Sequence, residues 1–224
     1  MLPIGGGVLA FDGVNPPVWF DADRQVWVTL DALPSAQGSG STLVALSGTE
    51  ALLLRGSAAA RIDVVTGESR MIAQPEVLER PEAVAMPDGR ILVMATPLAT
   101  EVTDATLWYH PDDDTWQTGP PLLGARSRGA AALLSDGSIL VAGGWDETMT
   151  CISRVERLRP GATAWTLEGA LCTGRTDPIL IVEGERILVV GGNAAGGGAE
   201  RTGGFTVGLS PARTIEALTE EAPL

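Results

Sequence analysis

The strongest constraint on this chain is a spacing that repeats. Phe20 and Trp27, Val65 and Ile72, Tyr109 and Trp116, and Leu158 and Trp165 each have six residues between them. A fifth, less regular stretch leads to Ile215. The second member of each pair advances through positions 27, 72, 116, 165 and 215, a period of 44 to 50 residues. A period of this length, filled with short apolar runs and turn residues, is a stack of supersecondary units. No single unit can bury its own faces, so neighbours must cover them.

Ser127–Gly144, SRGAAALLSDGSILVAGG, shows the unit most cleanly. Ala130–Leu134 is an apolar run of strand length. Asp136-Gly137 is a hairpin signal, because Gly supplies positive φ without a Cβ clash. Ile139–Ala142 is the return strand, and Gly143-Gly144 admits a close-passing backbone. Related stretches begin at Arg80 and Arg175, with a weaker one at Ser41. Third strands are expected at Val18–Phe20, Arg61–Val65, Thr106–Tyr109, Arg154–Leu158 and Gly204–Leu209. Fourth strands are expected around Trp27, Ile72, Trp116, Trp165 and Ile215.

An apolar run, Gly-Gly, then an aromatic six residues before a Trp resembles the kelch repeat. Gly143-Gly144 with Leu158 and Trp165 matches it best; in the third copy Ala95-Thr96 stands in place of the glycines. The resemblance covers nearly the whole chain. It implies an all-β propeller of four-stranded antiparallel blades, a single domain over residues 1–224. The repeats run 1–36 (partial), 37–78, 79–122, 123–172 and 173–224. The first is read as incomplete, with Leu2–Gly7 as its second strand, so that the chain starts inside a blade of a longer propeller protein. A closed five-bladed ring is the competing expectation. The resemblance does not choose among binding platforms, ubiquitin-ligase or actin adaptors, sugar epimerases and copper oxidases.

Charge narrows the partners. The formal net charge is −13, and all 15 basic residues are Arg. Phosphate binding needs basic groups, so nucleic acid and anionic lipid are not expected partners. No apolar run reaches the length of a membrane span, and Met1–Gly13 carries no signal-peptide pattern. Cys151 and Cys172 fit no zinc pattern. If Leu158 faces Trp165 across a hairpin, Cys151 faces Cys172, and a cross-strand disulfide and two reduced thiols both remain open. Asp112-Asp113-Asp114 reads as a blade turn in preference to a calcium loop. Asn193–Gly204 is glycine-rich, but a phosphate cradle needs a helix start and a Lys or Ser/Thr after its glycines, and neither is present. No metal and no cofactor are expected.

The sharpest candidate site comes from counting. Arg80, Arg128 and Arg175 each stand nine residues before a turn glycine (Gly89, Gly137 and Gly184), at the start of an innermost strand. Three guanidiniums there would form a positive spot suited to a carboxylate ligand. The competing reading is that they pair with Glu79, Glu82, Asp177 or loop carbonyls and stitch neighbouring blades together. Trp145 follows a Gly-Gly pair in a surface loop, where an aromatic can stack on a sugar or anchor a partner. The single His110 cannot build a copper-oxidase ligand set or, from its place near a turn, a triad. The expected function is therefore a non-catalytic scaffold that binds protein or carbohydrate, within a larger bacterial protein and outside the cytoplasm. The alternative from another class is a sialidase- or epimerase-like enzyme on an acidic sugar, with Glu147 or Glu200 as acid/base.

Overall fold

The structure is a computed structural model that describes residues 1–34, 40–75, 77–97, 102–184 and 186–194, and the backbone of 216–218. It divides into two compact units, Met1–Gly119 and Pro120–Leu224. Every regular element among the described residues is a β-strand.

The first unit holds three antiparallel four-stranded sheets, each in simple consecutive order. Sheet 1 is β1 (Leu2–Ile4), β2 (Gly7–Ala10), β3 (Val18–Asp21) and β4 (Val26–Thr29). Sheet 2 is β5 (Thr42–Ala45), β6 (Glu50–Arg55), β7 (Ala58–Asp63) and β8 (Ser69–Ile72). Sheet 3 is β9 (Leu78–Ala85), β10 (Ile91–Pro97), β11 (Thr106–His110) and β12 (Thr115–Thr118). The expectation of an incomplete first copy is corrected here. Leu2–Gly7 is not one strand but the whole of β1, a turn at Gly5-Gly6, and the first residue of β2, with Ile4 paired to Gly7. Two adjacent glycines, both at positive φ, fold back a stretch that reads in sequence as one extended run.

The second unit holds sheet 4, which runs β13 (Ala130–Leu133), β14 (Ile139–Ala142), β15 (Arg154–Leu158) and β16 (Thr166–Ala170). Next come β17 (Arg175–Thr176), β18 (Ile179–Glu183), β19 (Arg186–Val190), β20 (Asn193–Ala194) and β21 (Glu216–Leu218). Sheet 5 is ordered β18-β19-β21, while β17 pairs separately with β20. The strand beside β19 is thus Glu216–Leu218, where Gly204–Leu209 was expected. Gly204–Leu209, Ile215, most of the Asn193–Gly204 loop and the last six residues lie outside the described residues.

The aromatic spacing works through register. Phe20 lies directly across from Trp27 and Tyr109 from Trp116, with ring centroids 5.2 and 4.9 Å apart. The second copy breaks the rule. Ile72 pairs with Ala59, and Val65 sits exposed in the turn. There the third strand ends at Asp63, whose carboxylate accepts the Val65 and Thr66 N–H groups and starts the turn early.

Sheets pack face to face within each unit. In β6 every residue from Ala51 to Leu54 is buried. Ala51 and Leu53 join Ile4, Leu9 and Trp19 of sheet 1, while Leu52 and Leu54 join Ile91, Val93 and Tyr109 of sheet 3. A strand covered on both faces is why this run lacks apolar–polar alternation. In the second unit, Leu140, Ala142 and Val155 pack against Ile187 and Val189.

Polar clamps reinforce these joins. Between sheets 2 and 3, Arg61 donates to both oxygens of Glu50, to the Pro111 carbonyl and to Asp114. Arg70 and the Tyr109 hydroxyl also reach Asp114, at 2.7 and 2.5 Å. The aspartate run therefore ends in a side chain pointed at two arginines. Burial pushes the Asp114 carboxyl up, but the Arg70, Tyr109 and Arg61 hydrogen bonds outweigh it and hold it at about 2.

Candidate functional site

One backbone slot recurs at the start of the innermost strands, two residues before β5, β13 and β18 and within the first residues of β9. Gly40, Arg80, Arg128 and Asp177 all have positive φ, at 76°, 47°, 57° and 50°. L-residues pay a steric penalty in this conformation, and Gly or Asp accepts it more readily than Arg. Neighbouring slots touch. Gly40 is packed against the Arg80 backbone, and the Asp177 N–H donates to the Arg128 carbonyl at 2.9 Å.

This slot redraws the arginine equivalence. Arg80 and Arg128 correspond, but the matching residue in the fifth copy is Asp177, and Arg175 corresponds to Arg126. The reason is the hairpin turn. In the third and fourth copies three residues separate the last paired positions, Met86 with Arg90 and Leu134 with Ser138, and the glycine comes third. In the fifth copy Glu183 pairs directly with Arg186, and Gly184 comes first. Counting back from the glycine therefore lands two residues too early. Arg126 Nη1 donates to the Gly143 carbonyl at 2.8 Å, and Arg175 Nη1 to the Gly191 carbonyl at 2.9 Å. Each holds the first glycine of its Gly-Gly pair. Arg175 is wholly buried, which places its guanidinium among backbone acceptors and away from any surface ligand.

The Gly143-Gly144 pair does what its composition suggests. Gly144 donates to the Arg175 carbonyl at 2.8 Å. A Cβ on Gly143 would lie 2.6 Å from that carbonyl oxygen, and one on Gly144 2.6 Å from the Ser127 carbonyl oxygen. Trp145 follows immediately and is bridged on either side to Ser127 and Cys151. That pinning sets its indole beneath the Arg128 guanidinium, 4.6 Å from ring centroid to Cζ. Arg128 Nη1 also meets Asp177 Oδ2 at 3.0 Å, with the two side chains 24% and 41% exposed. The result is a layered trio on the second unit: carboxylate, guanidinium, indole. The flanking turn is built by Asp146, whose carboxylate accepts hydrogen bonds from Thr148 and Thr150, which hold that carboxyl below the usual range. It presents Glu147 and Met149 to solvent.

Arg80, in the first unit, is exposed and forms no ion pair among the described residues. Glu200 lies outside the described residues. His110 ends β11 across from Thr115, beside a turn. Cys151 and Cys172 are not joined by a disulfide. A bulge explains this: pairs Arg157–Thr166 and Glu156–Leu167 follow the expected register, but the next are Val155–Gly169 and Arg154–Ala170. One extra residue in β16 carries Cys172 out of line with Cys151. Burial pushes the Cys151 thiol up.

Sequence reasoning passes over Arg126, Arg154 and Glu156. Glu156 is fully buried; it binds Arg126 Nη2, Arg154 Nε at 2.7 Å and the Leu123 N–H at 2.7 Å. Its neighbours in RVERL give a charged-looking strand, although an acidic residue within a central strand is the available signal.

No protein-family model matches the chain. No curated protein matches it in sequence. Among solved structures it is similar to that of YjhT, a propeller-like protein, with a TM-score of 0.58 and 11% identity over 72% of this chain. The match spans 60% of the length of that structure. At this identity the likeness speaks to the fold: repeated four-stranded β-sheets consistent with a β-propeller. No helix among the described residues is long and apolar enough to cross a membrane.

Proposed function

We propose that the chain is a kelch-type propeller whose five repeats form one domain, and that it works as a non-catalytic binding module. The recognition surface is the layered trio of Arg128 and Trp145 with its Asp177 partner. Arg80 occupies the same slot in the first unit. The ligand is a protein or carbohydrate bearing a carboxylate, because a guanidinium fork and an adjacent indole face suit that combination.

One observation carries this reading. Arg128 holds a left-handed backbone conformation that the equivalent Gly40 adopts without strain, at a cost of about 1–2 kcal/mol for an L-residue. A slot that accepts glycine keeps a large cation whose side chain is partly open to solvent and stacked on Trp145. Retained strain of this kind is a pointer to side-chain use. The enzyme alternative needs a carboxylic acid placed beside the guanidinium. Asp177 is there, but as an ion-pair partner, and Glu147 is exposed in the Asp146 turn.

The test is a panel of immobilised acidic peptides and acidic oligosaccharides probed with the wild type, Arg128→Gly and Trp145→Ala. Binders retained by the wild type should be lost by both variants while melting temperatures stay close. A wild type that behaves like the variants across the panel would remove the proposal.

A further inference from the structure

Carboxylate, guanidinium and indole meet in both units, and the two meetings are built differently. In the first unit, the Arg90 guanidinium lies over the Trp108 ring, 4.4 Å from its centroid. Asp88, two residues away in the same turn, takes Arg90 Nε at 2.9 Å and Nη2 at 2.7 Å with one oxygen. Its other oxygen takes the Arg90 N–H at 3.1 Å. Trp108 itself is buried. The bidentate edge of that guanidinium is filled by a carboxylate of its own turn.

The trio in the second unit is held by much less. Arg128 and Asp177 stand 49 residues apart in the chain and share one contact, Nη1 to Oδ2 at 3.0 Å. Arg128 Nε is shut off from solvent with no partner among the described residues. Everything around the contact is fixed. The Asp177 N–H is bound to the Arg128 carbonyl at 2.9 Å. Pro178, the next residue, is buried against Gly143 and Gly192. Trp145, bridged to Ser127 and Cys151, holds the guanidinium from below. The exposed Asp177 side chain is therefore the part of the trio able to swing, on a main chain that stays in place.

We infer that Asp177 is an internal stand-in for the ligand's carboxylate: it occupies Arg128 until an acid binds, and then gives the guanidinium up. The inference rests on the binding function proposed above and adds its regulation. A single exposed ion pair is weak enough to be exchanged. Ligand affinity is reduced by the fraction of chains in which Asp177 holds the guanidinium. Exchange of one carboxylate for another keeps the half-buried cation paired throughout. A neutral hydroxyl offers no such exchange, so Asp177 also selects for acids.

The experiment is an NMR titration of the full chain with D-glucuronate and, separately, with triglutamate, a simple sugar carboxylate and a simple peptide carboxylate. It follows the Arg128 Nε–H and the Asp177 carboxyl carbon in the wild type. Asp177→Asn, Arg128→Gly and Glu147→Gln are titrated alongside. Asn adopts a left-handed backbone readily, so Asp177→Asn keeps the fold. In the wild type both signals should move together as one or both acids saturate. Asp177→Asn should bind the same acid about two- to fivefold tighter. Glu147→Gln removes the same charge from the flanking turn and should gain less. An Asp177 carboxyl that stays still while Arg128 responds overturns the inference and leaves the binding function standing. So does an Asp177→Asn variant that binds no tighter, or an equal gain in Glu147→Gln, which is net charge alone. Full binding by Arg128→Gly, or no response to either acid, overturns both.

Discussion

Glu156 gives the sharpest test of how the second unit is held together. Its carboxylate is fully buried and takes Arg126 Nη2, Arg154 Nε and the Leu123 N–H. Arg126 is almost as deeply buried and has one other close acceptor, the Gly143 carbonyl. Burial pushes the Arg126 guanidinium down, partly offset by the Glu156 charge. Glu156→Gln removes the charge that compensates that cation, and it replaces an acceptor with an amide N–H facing arginine donors. Breaking a buried pair from one side costs about 3–5 kcal/mol. Arg126→Met should cost less, about 2–3 kcal/mol, because Arg154 still serves the carboxylate. The double variant Arg126→Met/Glu156→Met should be more stable than Glu156→Gln alone, since apolar replacement leaves no orphaned charge. At about 2–4 °C per kcal/mol for a chain of this size, Glu156→Gln should melt roughly 6–20 °C lower. Urea unfolding of these variants together with Glu156→Met, which closes the cycle with Arg126→Met and the double variant, measures the coupling. Losses that simply add in the double variant would refute the argument, because they would show that the two buried charges do not depend on each other.

Three further outcomes are expected. Asp114 has its carboxyl held at about 2 in the folded state, against an ordinary value of 3.8. Its contribution is therefore fully present above about pH 4 and lost as pH falls towards 2. After allowance for its partial exposure this is about 1 kcal/mol, and Asp114→Asn should flatten that part of the acid stability curve. Arg128→Gly should be more stable than Arg128→Ala, by about 1 kcal/mol, because glycine relieves the left-handed backbone; equal melting temperatures would deny the strain. Thiol titration should find two reactive groups per chain without reductant, the exposed Cys172 faster than Cys151; a mass two protons lower would contradict the bulged register.

Much of the repeat was legible because cross-strand pairing is local. Phe20–Trp27 and Tyr109–Trp116 face each other as their spacing requires, and Gly143-Gly144 admits a neighbouring backbone. What escaped was everything that depends on a one- or two-residue offset. Gly5-Gly6 hid a turn, the bulge in β16 displaced Cys172, and a shorter hairpin at Gly184 put Arg175 in register with Arg126 instead of Arg128. Side-chain period in a strand is two, so one residue of slip changes the face and two residues change the partner. Composition holds no record of such offsets. Of the candidate site, the stacking of Arg128 on Trp145 joins two residues that stand out separately in the sequence. The left-handed slot beneath Arg128 was invisible, because nothing in the letters distinguishes an arginine that is strained from one that is not.

Strand β6 belongs to two cores at once. Ala51 and Leu53 belong to one, Leu52 and Leu54 to the other. Peeling away either neighbouring sheet wets half of this strand's side chains while the other half stay dry, so neither departure is energetically private. The three sheets of the first unit are thereby coupled through four consecutive residues, and damage at one end is felt at the other through the shared strand.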